Sequence, residues 1–233
     1  MTNALLQIKI KQRLNKLASM DYDNIECWMV QEAFNKAQLE WTRRQIYGLN
    51  TRREGTEQST GLTDDLRVLM TTAEKMTVRN KDLYVESDLP DNYLYYVRVD
   101  AMAKNDCCPA RRMTVYEAEE ANIGILLTTE TKAPSFDWAE TLSTLVGNTV
   151  RVYTNGKFSV TQVDLVYYRK PRVVQFRNCV DPATGNVSQT DVTCEFKDDV
   201  TEILIDEAAA ILAGDIESMN QYQRETQNGQ RNS

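Results

Sequence analysis

Histidine occurs nowhere in the 233 residues. Its absence removes the usual general base and triad partner. It also rules out the Glu-x-x-His element of carboxylate-bridged di-metal sites on helices. Cysteine is sparse and odd in number: Cys27, Cys107, Cys108, Cys179 and Cys194, with no CxxC pair. A zinc site would have to gather thiolates from distant positions. The expectation is free thiols in an intracellular chain, with Cys179 and Cys194 facing each other across a hairpin but kept reduced. Neither GxGxxG nor GxxxxGK[ST] occurs, so no phosphate-cradling loop is recognisable. No apolar run approaches the roughly 20 residues that span a bilayer. The opening MTNALLQIKIKQRL mixes Lys and Arg into its apolar positions, unlike a signal peptide. Catalytic residues, cofactor and metal are therefore all expected to be absent.

What is present is charge, unevenly placed. The formal net charge is −7, hydrophobic residues are 42% and mean hydropathy is −0.51, which fits one large or two small soluble domains. The clearest helix is predicted over 198–219, DDVTEILIDEAAAILAGDIESM, with apolar residues over about half its circumference. It holds seven acids and no base. A first helix over 2–18 places Leu6, Ile10, Leu14 and Leu17 on one face, carries Lys9, Lys11, Arg13 and Lys16, and has no acid. A second helix over 23–47 has Ile25, Met29, Ala33, Ala37 and Trp41 at four-residue steps. Trp41, Leu204 and Ile211 are expected to be buried. The first and last helices are electrostatically complementary, and the sequence leaves open whether they pair within one subunit or across two.

Residues 50–61 read as a polar loop whose Arg52 and Arg53 suit phosphate, a partner carboxylate or plain solvent, followed by a short helix over 64–70. From residue 75 the period becomes alternating. Short strands are expected around Asn80-Lys81, then one at 93–103, a bend at 107–112, a strand at 113–116, a helix at 117–127 and an irregular stretch to 140. Asn155-Gly156 predicts a hairpin between 148–153 and 158–160. Further strands are expected at 162–168 and 192–196, with extended chain at 173–176 and a turn at 181–186. Residues 220–233 have no apolar face and read as a flexible tail. The fold class expected is α+β, with a helical layer from 1–74 and 197–219 and an inserted strand-rich lobe at 75–196.

One enzyme reading survives. Asp181, Glu195 and Lys197 follow the D…ExK order of metal-dependent nucleases, in which two carboxylates hold Mg²⁺ and the Lys polarises water or phosphate. The pattern is short, and Glu195-Phe196-Lys197 also serves as strand end and helix entry. Tyr93, Tyr95, Tyr96, Tyr167 and Tyr168 suit base stacking or sheet packing. The acidic balance favours packing, because phosphate attraction dominates nucleic-acid affinity. Without chemistry the bland reading is an α+β protein-binding module.

Three phrases carry a resemblance: Leu89-Pro90-Asp91-Asn92-Tyr93, then QVDLVYYRKPRVV from Gln162, and FKDDVTEILIDEAAAILAGDIESMNQYQ over 196–223. With the order of elements, they resemble the ring, or adaptor, proteins of the head-to-tail connector in crAss-like tailed bacteriophages. The resemblance implies a virion protein of the neck, assembled in the host cytoplasm as a ring of about twelve copies. It implies contacts with the portal, with neighbouring rings or tail hub proteins, and a channel through which genome DNA passes without specific binding. It implies no membrane contact. Acidic walls suit such a conduit because they repel phosphate over about a Debye length. Lys9, Lys11, Arg13, Lys16, Arg52, Arg53, Glu202, Asp206 and Glu217 are then interface candidates. Glu202, Asp206 and Glu217 are expected to face either the channel or the basic first helix of a neighbour.

Overall fold

Leu6, Ile10 and Leu14 recur at four-residue steps, and all three are buried on helix α1 (Asn3–Leu17). The computed structural model describes residues 1–17, 25–47, 65–106 and 108–216. The loop at 50–61 with Arg52 and Arg53, Glu217 and the tail at 220–233 lie outside the described residues. Helix and strand each make up 34%, so the fold is α+β. The chain divides into two units, Met1–Val68 with Pro171–Ser233, and Leu69–Lys170.

The first unit is built on three helices. Besides α1 these are α2 (Cys27–Tyr47) and α4 (Asp198–Ile216), α3 being a short helix of the second unit. α4 packs on both of the others, which touch each other only slightly. Its buried face is Val200, Leu204, Ile205, Ala208, Ala209 and Leu212, with Ile211 half-buried. On α2 the stripe runs through Val30, Ala33, Phe34, Ala37 and Trp41, turned from the expected one so that Met29 is only half-buried. The helix begins at Cys27, and a 3.6-residue period alternates three- and four-residue steps. Trp41 meets Phe196 edge-on, with ring centroids 5.2 Å apart.

The division differs from the expected lobe at 75–196, because residues 171–196 lie with the helices. Their alternation suggested strands, yet only the single bridges Gln175↔Val192 and Val180↔Val187 form. Helix side chains satisfy the backbone instead. The Asn35 amide donates to the Val174 carbonyl at 3.1 Å and accepts from the Val174 N–H at 2.8 Å. Gln31 accepts from the Phe176 N–H at 2.9 Å. Buried Asn3 donates to the carbonyls of Gln175 and Val192 at 3.0 and 3.1 Å. Val174 and Phe176 fill the space beneath.

The expectation of free thiols is also corrected. Cys27, at the start of α2, forms a disulfide with Cys179, their Cα atoms 5.7 Å apart and 152 residues apart in sequence. Cys194 does not face Cys179 in a bond; its thiol lies between Gln38 and Thr201. Burial pushes that thiol's pKa up.

The second unit is an eight-stranded sheet in the order β1-β8-β4-β5-β6-β7-β3-β2. The strands are β1 (Met70–Ala73), β2 (Arg79–Asn80), β3 (Tyr84–Asp88), β4 (Tyr93–Asn105), β5 (Cys108–Glu117), β6 (Glu140–Val146), β7 (Thr149–Tyr153) and β8 (Ser159–Arg169). Only β5 and β6 pair in parallel. The sheet curls so that β3, β4, β5, β7 and β8 share one core, including Val85, Val99, Ala101, Met113, Val152, Val163 and Leu165.

Three local expectations fail here. Of the bend expected at 107–112, the described part from Cys108 on is instead the start of β5, with Pro109 as its second residue, near the strand end where a missing N–H is tolerated. β5 runs on through Glu117, so the expected helix shrinks to the 3₁₀ turn Glu120–Asn122 and α3 (Ile123–Thr128). Asn155 and Gly156 do turn the chain, both at positive φ, but β7 and β8 pair with other strands. The true hairpin joins β6 to β7 through Gly147-Asn148, with Gly147 at φ 58°.

Phe34 is fully buried, and Phe34→Ala should cost about 3–5 kcal/mol in denaturant unfolding. Non-reducing digestion should yield a linked Cys27–Cys179 peptide. Replacing both cysteines by Ser should lower stability by about 2–4 kcal/mol; an unchanged midpoint would contradict the cross-link.

Candidate functional site

The charged residues singled out in the sequence meet along one seam. α1 and α4 run in the same direction, and equivalent turns face each other. The Met1 amino group lies 2.7 Å from Asp198. Lys9 pairs with Glu202. Arg13 Nη2 reaches Glu202 at 3.2 Å while its Nε pairs with Asp206. From the Lys9 rung to the Arg13 rung the pairing advances four residues on both helices, and residues four apart stack on one helix face. Glu202 and Asp206 thus pair with the first helix of their own chain. On the opposite flank of α4, Arg44 of α2 pairs with Glu207.

The hydrogen bond to Asp206 holds the Arg13 guanidinium above its ordinary pKa. The hydrogen bond from the Met1 amine holds Asp198 below the usual carboxylate value. Burial pushes Glu207 up, partly opposed by Arg44. Lys11 points off the seam and is exposed. Lys16 lies on α1, its side chain outside the description.

The nuclease-like residues are held in three separate contacts. Asp181 accepts from the Ala183 N–H at 2.9 Å and the Thr184 hydroxyl at 2.8 Å, which lowers its pKa. Glu195 accepts from the Arg172 N–H at 2.9 Å and pairs with Arg172 Nε at 3.1 Å. Lys197 lies 3.3 Å from Asp65. Among the described residues no cluster of His, Cys, Asp or Glu could hold a metal ion. The tyrosines serve the sheet: Tyr93 and Tyr167 stack at 5.9 Å, and the Tyr167 hydroxyl donates to Asn92 at 2.8 Å.

Two features escaped sequence reasoning. One is an open groove of about 670 Å³ beside the disulfide, walled by Trp28, Gln31, Val180 and Val187. Its Asp181 is occupied by its own turn, so the groove offers apolar walls more than chemistry. The other is the crossover from β5 to β6. Its α3, sequence IGILLT, has no buried residue, and Ile125 is 69% exposed. Trp138, in the same crossover, is 81% exposed. The signal available was a tryptophan in a stretch with no strand or helix period; Ile125 to Leu127 read only as the end of a short helix.

No protein-family model matches the chain, and no curated protein matches it.

The seam adds little to stability. Exposed pairs are worth about 0–1 kcal/mol each, so Glu202→Gln with Asp206→Asn should cost about 1 kcal/mol, less at high salt. Glu207 gives a pH test. A carboxyl whose folded pKa is raised adds stability below its unfolded value and loses it as pH rises through the folded one. Glu207→Gln lacks that loss. Its thermal midpoint relative to the native chain should climb as pH rises through the carboxylate range; a flat difference would contradict the burial.

Proposed function

We propose that the protein is a structural component of a tailed-phage virion, a ring in the connector that joins portal to tail and surrounds the DNA channel. The observation that carries this reading is the pairing of absent chemistry with exposed apolar anchors. The described acids and bases of the seam are spent on one another, and the nuclease-like residues stand apart. Meanwhile Trp138, Ile125, Val173 and Ile8 are each more than half exposed. Side chains of that size in water mark surfaces that meet other proteins. The resemblance of the 89–93, 162–174 and 196–223 phrases to crAss-like connector proteins supplies the class of assembly.

On this reading the copies are about twelve, in cyclic symmetry. The partners are the portal and the neighbouring ring or tail hub proteins. The net charge of −7 keeps the wall from holding the genome. The protein catalyses nothing and takes no cofactor.

Native mass measurement of the purified chain, alone and mixed with portal, tests the reading. A closed ring in either sample is the expected result; a monomer in both would overturn it. Incubation with Mg²⁺ or Mn²⁺ and DNA should leave the DNA intact. Cleavage abolished by Glu195→Ala would return the protein to the nucleases.

A further inference from the structure

We propose that the β5–β6 crossover of one copy docks on the outer face of α1 in the next, a head-to-tail contact between two different patches. The inference rests on the ring reading and names the surfaces that would make it.

The first patch is the crossover itself. Ile125 and Trp138 are its anchors, at 69% and 81% exposure. Isoleucine and tryptophan this open are costly in water, and tryptophan is enriched among residues that dominate interface energies. The surroundings are acidic: residues 117–140 hold six acids and one base, Lys132. Glu119, Glu130 and Asp137 are exposed among them.

The second patch has the opposite charge. α1 is the described helix with bases and no acid. Its inner face is spent on the core through Leu6, Ile10 and Leu14, and its flank on α4 through Lys9 and Arg13. Exposed on the outer side are Ala4, Leu5, Ile8, Lys11 and Gln12. Leu5 and Ile8 are 43% and 53% exposed. Leu5 and Ile8, at i and i+3, lie on one side of the helix and form a short apolar pair, with polar Gln12 one turn on. An apolar pair edged by a base thus matches a crossover that carries two exposed apolar side chains among acids.

Charge complementarity selects a second copy as the occupant. Each chain carries one patch of each kind, and like patches would set acids against acids. A contact between unlike patches leaves one of each open at every step, so it propagates and closes if the rotation per copy allows.

The test uses the full chain in sedimentation and native mass spectrometry. Ile125→Asp, Trp138→Ala and Ile8→Asp should each weaken self-association at least about tenfold, the factor that 1.4 kcal/mol represents. All three positions are exposed, so thermal midpoints should stay at the native value. The deciding step mixes Ile125→Asp with Ile8→Asp. Each variant retains one intact patch, so the mixture should give one-to-one pairs that grow no further. Tryptophan emission should shift to the blue in those pairs, because the intact Trp138 of the Ile8→Asp chain leaves water. Native assembly with unaffected variants would overturn this contact and leave the ring reading standing. Each variant dimerising with itself while no mixed pair forms would mean that like patches pair, and a mixture that stays monomeric while the native chain assembles would place the contact elsewhere; either result would also overturn it. A native chain that stays monomeric at every concentration, alone and mixed with portal, would remove both.

Discussion

The buried face of α4 is the constraint on which the helical unit depends. α1 and α2 barely touch, and each finds its apolar partner in α4. Val200, Leu204, Ile205, Ala208 and Leu212 are almost wholly out of water. Burying a leucine or isoleucine is worth about 1.5–3 kcal/mol, against about 0–1 for an exposed ion pair. Burial therefore supplies the energy of this packing. The ladder from Lys9 and Arg13 to Glu202 and Asp206 adds matched charge along the flank of that packing.

The returning segment 171–196 is held by a different kind of interaction. It has too few ladder hydrogen bonds to stand as a sheet. Asn3, Gln31 and Asn35 reach from the helices to its backbone, and Cys27–Cys179 pins it covalently. In the sheet unit, β4 and β8 pair over most of their length and form the spine on which the other strands are laid. Both units leave large apolar side chains in water, which is a reason to look for function on surfaces.

The three helices were legible because their periodicity is strong and their packing local to it. Trp41 and Leu204 are buried as the pattern required, and Ile211 half so. The affinity of the first helix for the last was legible from charge alone. Whether it was satisfied within one chain was not, since sequence carries sign and spacing but not distance. The stretch 107–112 read as a bend, since sequence does not say where Pro109 stands relative to the turn. Asn155-Gly156 announced its turn correctly, yet a turn does not dictate which strands pair. The Cys27–Cys179 bond spans 152 residues and follows from tertiary approach alone. Trp138 was read past because an isolated aromatic in an irregular stretch has no period to betray its exposure.

Hydrogen exchange on the native chain, resolved by peptide, tests the central claim that α4 organises the helical unit. The account predicts that α1, α2 and α4 share one opening event, with α4 protected at least as well as α2. Rapid exchange along α4 while α1 and α2 stay protected would contradict it, because two helices that scarcely meet would then be holding each other without it.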